Sequence, residues 1–533
     1  MDTNQLLSIH DIPDDLLCDI FLLILPRNVK QNLVKIVDNR KALISLCLTC
    51  KRWHRLAYSY PLLWTRVIDF EEDTPEHIAE FLRRSGSVPF EIPSDAIQKN
   101  EQPLKVLQTI FEHRSRIKTM NLNILYSPWV FICKNFLSYP APNLQFMNLI
   151  TRSPFPSCSF SGPLFANHAP QLTQFHMQRC LTDFSSPVLH NLTALSVIDI
   201  VAPAPLRQTT NPSKIAPTVE GWLQILKDMP ALRYLTLLNS ITWTDNFQGT
   251  RFVNISLPCL RLLSLDVPFG EGAVFLEFLE IPPSCGIRLR SKVRGAFWQG
   301  TLDSCHTALQ GPKILSALSN QLSQRSVLPE GGKQYLQAKL LDGNRIHFGN
   351  SPRIGQLWNI TEADELEQHA QRSTEPLVWL VLYFADDFPI ARRFLRQLLA
   401  LYEPTFSTTT DLDLWIDEQS NVTHEDFAFL SRFTNFSALQ RLDIYGQSVI
   451  HLLPLFNSLS QLGEPVFPSL RLLRLTGTTF NDEVYQIVLD FLLYRAALNA
   501  PLWRFIIFNG EISNKMMSDL EEKSRVEVMS ENR

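Results

Sequence analysis

The chain has 533 residues, 45% of them hydrophobic, with a formal net charge of −4 at pH 7. Such a length points to several domains or one elongated repeat array, and the mild, dispersed acidity gives no electrostatic reason to expect nucleic acid or an anionic membrane as partner. The start MDTNQLLSIHD lacks the basic opening and apolar run of a signal peptide, no stretch approaches a membrane span, and nine scattered cysteines read as reduced thiols, so a soluble cytoplasmic or nuclear protein is expected.

Ile12-Pro13 followed by Asp14 and Asp15 is a helix-start signal, because proline suits the first helical turn and carboxylates favour the positive end of the helix dipole. Leu16, Leu17, Ile20 and Phe21 follow at helical spacing. A second helical pattern carries Leu43, Leu46, Cys47, Cys50, Trp53 and Leu56, after a loop expected from Pro26 to about Arg40. About fifty residues are too few to bury so wide an apolar surface, so the surplus calls for a partner.

IPDDLLCDIF, CKRW and the closing PLLW resemble the F-box, the short helical module by which substrate receptors dock on the Skp-type adaptor of a cullin-based ubiquitin ligase. The resemblance implies adaptor contacts at Ile12, Pro13, Leu16, Leu17, Ile20, Phe21, Leu46, Cys50 and Trp53. Isoleucine stands where the family usually has leucine before Pro13, and the inter-helix loop is longer than in compact members. Further segments, EHIAEFLRRSGSVPFEI, HRSRIKTMNL and APQLTQFHMQRC, resemble the long-loop F-box proteins common in mushroom-forming fungi. The expected boundaries are an F-box over 8–66, a helical transition over 67–115, a repeat region over 116–510 with an irregular middle at 266–376, and a charged, frayed tail over 511–533.

In the repeat region a phrase with apolar residues at its first, fourth and sixth places recurs, from Ile117/Met120/Leu122 and Leu144/Met147/Leu149 to Leu470/Leu473/Leu475 and Leu502/Phe505/Ile507. The later copies start at 377, 409, 439, 470 and 502. This is the strand portion of a leucine-rich repeat, each unit supplying one short strand and a return segment. Val219 to Met229 and Asp482 to Leu498 read as helical returns. The expected fold is therefore α/β: a helical F-box followed by an irregular leucine-rich-repeat-like α/β solenoid. Between 266 and 376 the reading is degenerate repeats with an inserted loop, against a boundary between two domains.

Side chains alternate along a strand, so if places four and six point inward, places three, five and seven face outward on the solenoid's concave sheet. This rule nominates Trp379, Tyr383, Asp411, Asp413, Trp415, Arg441, Asp443, Tyr445, Arg474 and Arg504 as a substrate-binding patch, since aromatic and arginine side chains supply much of an interface's binding energy. The same residues could instead pair along the sheet.

No phosphate loop, nucleophile elbow or metalloprotease pair occurs in the sequence, and Cys47-Leu48-Thr49-Cys50 lacks the second cysteine pair that zinc would need. No catalytic residue, metal or cofactor is expected. The resemblance implies a non-catalytic receptor that joins a Skp-type adaptor and cullin scaffold to an unknown protein substrate. The alternative is a non-ligase interaction scaffold with a diverged F-box.

Overall fold

The computed structural model describes residues 9, 12–25, 33–93, 97, 100–124, 127–151, 158–201, 216–242, 254–282, 285–293, 334–341, 345–349, 378–384, 409–416, 436–459 and 465–531, with backbone placement alone at 33–36, 127, 158, 268–270, 273, the described residues of 291–384, and 415–416. The chain divides into two compact units, Met1–Pro217 with Asp228–Leu232 and Thr218–Lys227 with Arg233–Arg533.

The first unit opens with helices α1 (Asp14–Ile24), α2 (Leu33–Thr49), α3 (Lys51–Ser59) and α4 (Pro61–Thr65). α1 starts behind Pro13 with Asp14 and Asp15 in its first turn. The second helical stretch differs from expectation in two respects. α2 already begins at Leu33, since 33–40 contains no glycine or proline to stop it. It then ends at Thr49, where Cys50 is extended (φ −160°, ψ 168°) and its Sγ accepts the Trp53 N–H at 3.4 Å, capping α3. Leu17, Phe21 and Leu25 pack with Leu43, Leu46, Leu56, Ala57, Leu63 and Trp64 in one core.

This module does not stop at residue 66. Trp64 stacks on Phe81 of α5 (Pro75–Arg84) at 6.1 Å, and the Arg84 guanidinium lies over Trp64 at 4.5 Å and over Tyr58 at 4.7 Å. Asn39 and Arg40 donate to the Arg66 and Val67 carbonyls, while Arg66 donates to the Leu22 and Leu25 carbonyls at the end of α1. β1 (Phe90–Ile92), α6 (Pro103–Glu112) and β2 (Ile117–Ile124) follow. Before β2, Arg116 is buried and donates to the Leu82 carbonyl, the Val88 carbonyl and Ser85 Oγ at 2.6–3.0 Å, tying α5 to the sheet.

α7 (Ser127–Ile132), β3 (Phe146–Thr151), β4 (Cys158–Ser159), β5 (Gln174–Gln178), β6 (Cys180–Leu181) and β7 (Ala194–Ile198) complete the unit. β1, β2, β3, β5 and β7 form consecutive parallel pairs, and β4 pairs with β6. Register aligns Met120, Met147, Phe175 and Leu195, then Leu122, Leu149, Met177 and Val197, the fourth and sixth places of the phrase; all eight are buried.

The second unit contains α8 (Val219–Lys227), β8 (Tyr234–Leu238), β9 (Ile255–Ser256), β10 (Leu262–Pro268), α9 (Phe269–Glu277), β11 (Leu279–Glu280) and β12 (Gly286–Val293). β13 (Gln334–Leu341), β14 (Arg345–Gly349), β15 (Val378–Phe384), β16 (Thr409–Ile416), β17 (Arg441–Tyr445), α10 (Ser448–Leu459), β18 (Leu472–Thr476), α11 (Asp482–Ala497), β19 (Arg504–Phe508), α12 (Asn514–Ser524) and β20 (Glu527–Glu531) follow. Its sheet runs β8-β10-β12-β15-β14-β13-β16-β17-β18-β19-β20, parallel except for β14, which is antiparallel to both neighbours.

Within the irregular middle, β12 is a strand the phrase missed: Ile287 and Leu289 hold the two inward places, but the first place is Ser284 rather than an apolar residue. The expected frayed tail is likewise corrected. α12 is capped by Ser513, and β20 pairs in parallel with β19, because Leu520, Val526 and Val528 are buried and give the segment a core face.

The eighth place of the phrase is left-handed at Arg179, Asp199, Asn239, Gly446, Gly477 and Asn509 (φ +47° to +66°). Glycine, asparagine and aspartate tolerate this conformation best, and they fill five of the six places.

Candidate docking surfaces

α1 and α2 each carry a second apolar face beside the one they bury. On α1, Leu16, Ile20, Leu23 and Ile24 are exposed at helical spacing, while Leu17 and Phe21 are fully buried. On α2, Val37, Ile44 and Leu48 are exposed, while Leu43 and Leu46 are buried. Leu23 and Leu48 are 81% and 79% exposed, as if each awaited a cover. Pro13 is exposed, Ile12, Cys50 and Trp53 are half-buried, and Ile12 and Trp53 lie against the core, with Trp53 edge-on to Phe21 at 5.1 Å.

The nine residues expected at an adaptor contact therefore separate by role. Pro13, Leu16 and Ile20 are available at the surface, and Ile12, Cys50 and Trp53 in part. Leu17, Phe21 and Leu46 are spent on the module's own core. Sequence reasoning missed Leu23, Ile24, Val37, Ile44 and Leu48. For Leu23 and Ile24 the signal was present: in DLLCDIFLLIL the apolar letters occupy more of the helix circumference than one core stripe needs. The half-buried thiols of Cys18 and Cys47 are both pushed up by burial, which leaves them protonated and inert.

The module's electrostatics are local. Arg52 Nε donates to Asp14 Oδ1 at 2.8 Å and its Nη2 to the Ile12 carbonyl at 2.6 Å, closing α3 onto the start of α1. α1 has no basic side chain of its own, and Arg52 and Arg55 both meet its exposed Asp14. Apart from Asp14, Asp15 and Asp19, the exposed side chains of α1 are hydrocarbon.

On the sheet of the second unit, register places Asp411, Arg441, Leu472 and Arg504 in one row and Asp413, Asp443, Arg474 and Ile506 in the next. Arg441 donates from Nε to Asp443 Oδ1 at 3.0 Å and from Nη2 to Oδ2 at 2.6 Å, and Arg474 Nη1 lies 3.9 Å from the same Oδ2. The Asp443 carboxylate, only 2% exposed as a residue, holds the Arg441 proton more firmly than usual. Tyr445 donates its hydroxyl to Asp413 at 3.2 Å, and burial, then Asp413, pushes that hydroxyl's pKa above the usual tyrosine value. Arg474 also stacks on Phe508 at 3.9 Å, and Arg504 pairs with Glu527 at 2.9 Å.

The part of the expected patch on β16 to β19 is thus brought together on adjacent strands, with much of its charge satisfied within the sheet, whereas Trp379 and Tyr383 lie on β15, which β14 and β13 separate from β16. Asp443, not a surface group, organises it. Trp379 and Tyr383 occupy β15 and Trp415 occupies β16; their side chains lie outside the described residues.

Among the described residues, no three His, Cys, Asp or Glu side chains are grouped to hold a metal ion, and no helix is long and apolar enough to cross a membrane. The four-helix arrangement buries one apolar face and leaves another open. Residues 9–69, about one-ninth of the chain, match the F-box-like family profile, so the protein carries an F-box-like domain of the kind found in substrate receptors of SCF-type ubiquitin ligases, which are typically non-enzymatic adaptors. No curated protein sequence matches the chain.

Proposed function

We propose that this protein is the substrate-recognition receptor of a cullin-based ubiquitin ligase, docking on a Skp-type adaptor through its F-box and holding a target protein on its repeats. The observation that carries the reading is the open apolar surface of Leu16, Ile20, Leu23, Ile24, Ile44 and Leu48 inside the matched F-box-like segment. The repeats form a leucine-rich-repeat-like solenoid in this reading, supported by parallel strands at the phrase positions and the recurrent left-handed eighth place. Resemblance to the long-loop fungal F-box proteins belongs to the same proposal, as does a cytoplasmic or nuclear residence.

The mechanism is proximity. Adaptor and cullin bring a charged ubiquitin-conjugating enzyme near lysines of a target held by the receptor, so the gain is in effective concentration and orientation. The chain itself forms and breaks no bond. Co-purification of the full chain with adaptor and cullin tests this: capture of both by the native protein, lost in a folded Leu23→Ala/Leu48→Ala variant, is the expected result. Capture of neither overturns the ligase assignment.

A further inference from the structure

The arginines within β17, β18 and β19 are answered inside the sheet: Arg441 and Arg474 meet Asp443, and Arg504 meets Glu527. Arg471 is not. It holds the second place of its phrase, just ahead of β18, is exposed, and has neither a hydrogen bond nor an ion pair for its guanidinium among the described residues. The guanidinium lies instead over the Trp503 ring at 4.4 Å. A guanidinium stacked in this way keeps its N–H donors free at the edge of the stack, so it can still fork onto a carboxylate.

Trp503 is itself unusual. It is 67% exposed, whereas the other tryptophans with described side chains, Trp53, Trp64, Trp129 and Trp222, are half-buried or buried. An indole left in water forfeits a large burial free energy that a partner can recover, and tryptophan and arginine are among the side chains most enriched at the energetic centres of protein interfaces.

Backbone pairing adds a third member. The Arg471 N–H donates to the Gln440 carbonyl and the Trp503 N–H to the Arg471 carbonyl, each at 2.9 Å, which sets Gln440, Arg471 and Trp503 side by side on one rim of the sheet. All three are exposed, and neither the Gln440 carboxamide nor the Trp503 indole N–H has a hydrogen-bond partner among the described residues. The row thus offers unused donors and an open aromatic ring, with no acid of its own. Two interstrand steps of ~4.8 Å make it about 10 Å long, which about three residues of an extended chain span at ~3.3 Å each.

We infer that this rim holds a short acidic segment of the target protein. A carboxylate of the segment accepts from Arg471 and Gln440, and an apolar side chain next to it covers the open face of Trp503. The inference rests on the receptor reading and gives it a substrate class. Positive charge without an internal partner selects an acid, the exposed indole selects an apolar neighbour, and the length of the row selects a brief motif over a long polyanion.

Fluorescence anisotropy with the full chain tests the inference. The probes are a labelled peptide of alternating glutamate and leucine, the same peptide with glutamine for glutamate, a version with phosphoserine for glutamate, and a single-stranded oligonucleotide. The expected result is binding of the glutamate peptide that weakens as salt is raised, and no binding of the glutamine version. Trp503→Ala, a surface substitution that leaves the fold intact, weakens binding by about tenfold. Arg471→Gln weakens it by about fivefold and removes most of its salt dependence. Arg233→Gln, at an exposed arginine in the second place of the β8 phrase, leaves it unchanged. Equal loss with Arg233→Gln, equal binding of the glutamine peptide, or binding of the phosphoserine peptide or the oligonucleotide alone overturns the inference. So does self-association in sedimentation that Trp503→Ala abolishes, since a second copy of the chain would then be the occupant. Adaptor capture without peptide binding sinks this inference and spares the receptor reading; peptide binding without adaptor capture does the reverse.

Discussion

Replacing Leu23 or Leu48 by alanine separates docking from folding. A Leu→Ala change removes three carbon groups, at most ~2.4 kcal/mol of transfer free energy at ~0.8 kcal/mol per group. Leu48 is 79% and Leu23 81% exposed in the chain alone, so about four-fifths of that amount is left for a partner to gain and about one-fifth is already realised in folding. Each substitution is expected to weaken adaptor binding by about 2 kcal/mol, roughly 25-fold, and to cost about 0.5 kcal/mol of stability, less a few tenths for alanine's better helix propensity. Leu17→Ala behaves oppositely: it opens a cavity in a fully buried site and costs about 2–5 kcal/mol of stability. Titration calorimetry with the purified adaptor, paired with urea denaturation of each variant, measures both quantities. If Leu23→Ala and Leu48→Ala bind like the native chain while folded Leu17→Ala alone loses the adaptor, the argument from exposure is wrong.

Three further results are expected. His176 is buried against Phe146, with no hydrogen-bond partner for either ring nitrogen among the described residues, and desolvation lowers its pKa from 6.5 to about 4. Because the unfolded chain binds the proton more readily, stability is full above pH 6.5 and falls as pH drops toward 4, by on the order of 3 kcal/mol; His176→Phe should flatten that slope in denaturation midpoints measured between pH 7.5 and 4.5. Arg116→Ala orphans the Leu82 and Val88 carbonyls and should cost about 3 kcal/mol in a denaturant titration, whereas a loss under 1 kcal/mol would mean water replaces the guanidinium freely. Gly510→Ala would set a Cβ 2.6 Å from the Thr478 carbonyl oxygen, so a melting point lowered by several degrees is expected, and an unchanged one would show that the β18–β19 edge yields without strain.

Much of the strand framework was legible because a parallel strand buried on one face leaves a short, strict signature. Leu473/Leu475 and Phe505/Ile507 repeat two apart, and each is fully buried. β12 escaped because its first place is serine, and β20 escaped because EVMSE offers a single buried valine to announce it. Among the helices, apolar spacing marked α1 and α3, but not the break between α2 and α3, where a cysteine does the capping that serine or aspartate usually does.

Candidate site residues were legible to a different degree. Composition and period identify which residues of α1 are apolar, but Leu16 and Leu17 look alike on paper, and their opposite fates follow from where α3 and α4 close over the helix. The same holds on the sheet. Alternation put Arg441, Asp443 and Arg474 on one face, yet only the register between β17 and β18 shows that Asp443, already bound to Arg441, also meets Arg474. Local periodicity is a property of neighbours along the chain, so letters reveal it; burial and charge pairing depend on which segments meet after folding, and those partners lie tens of residues away.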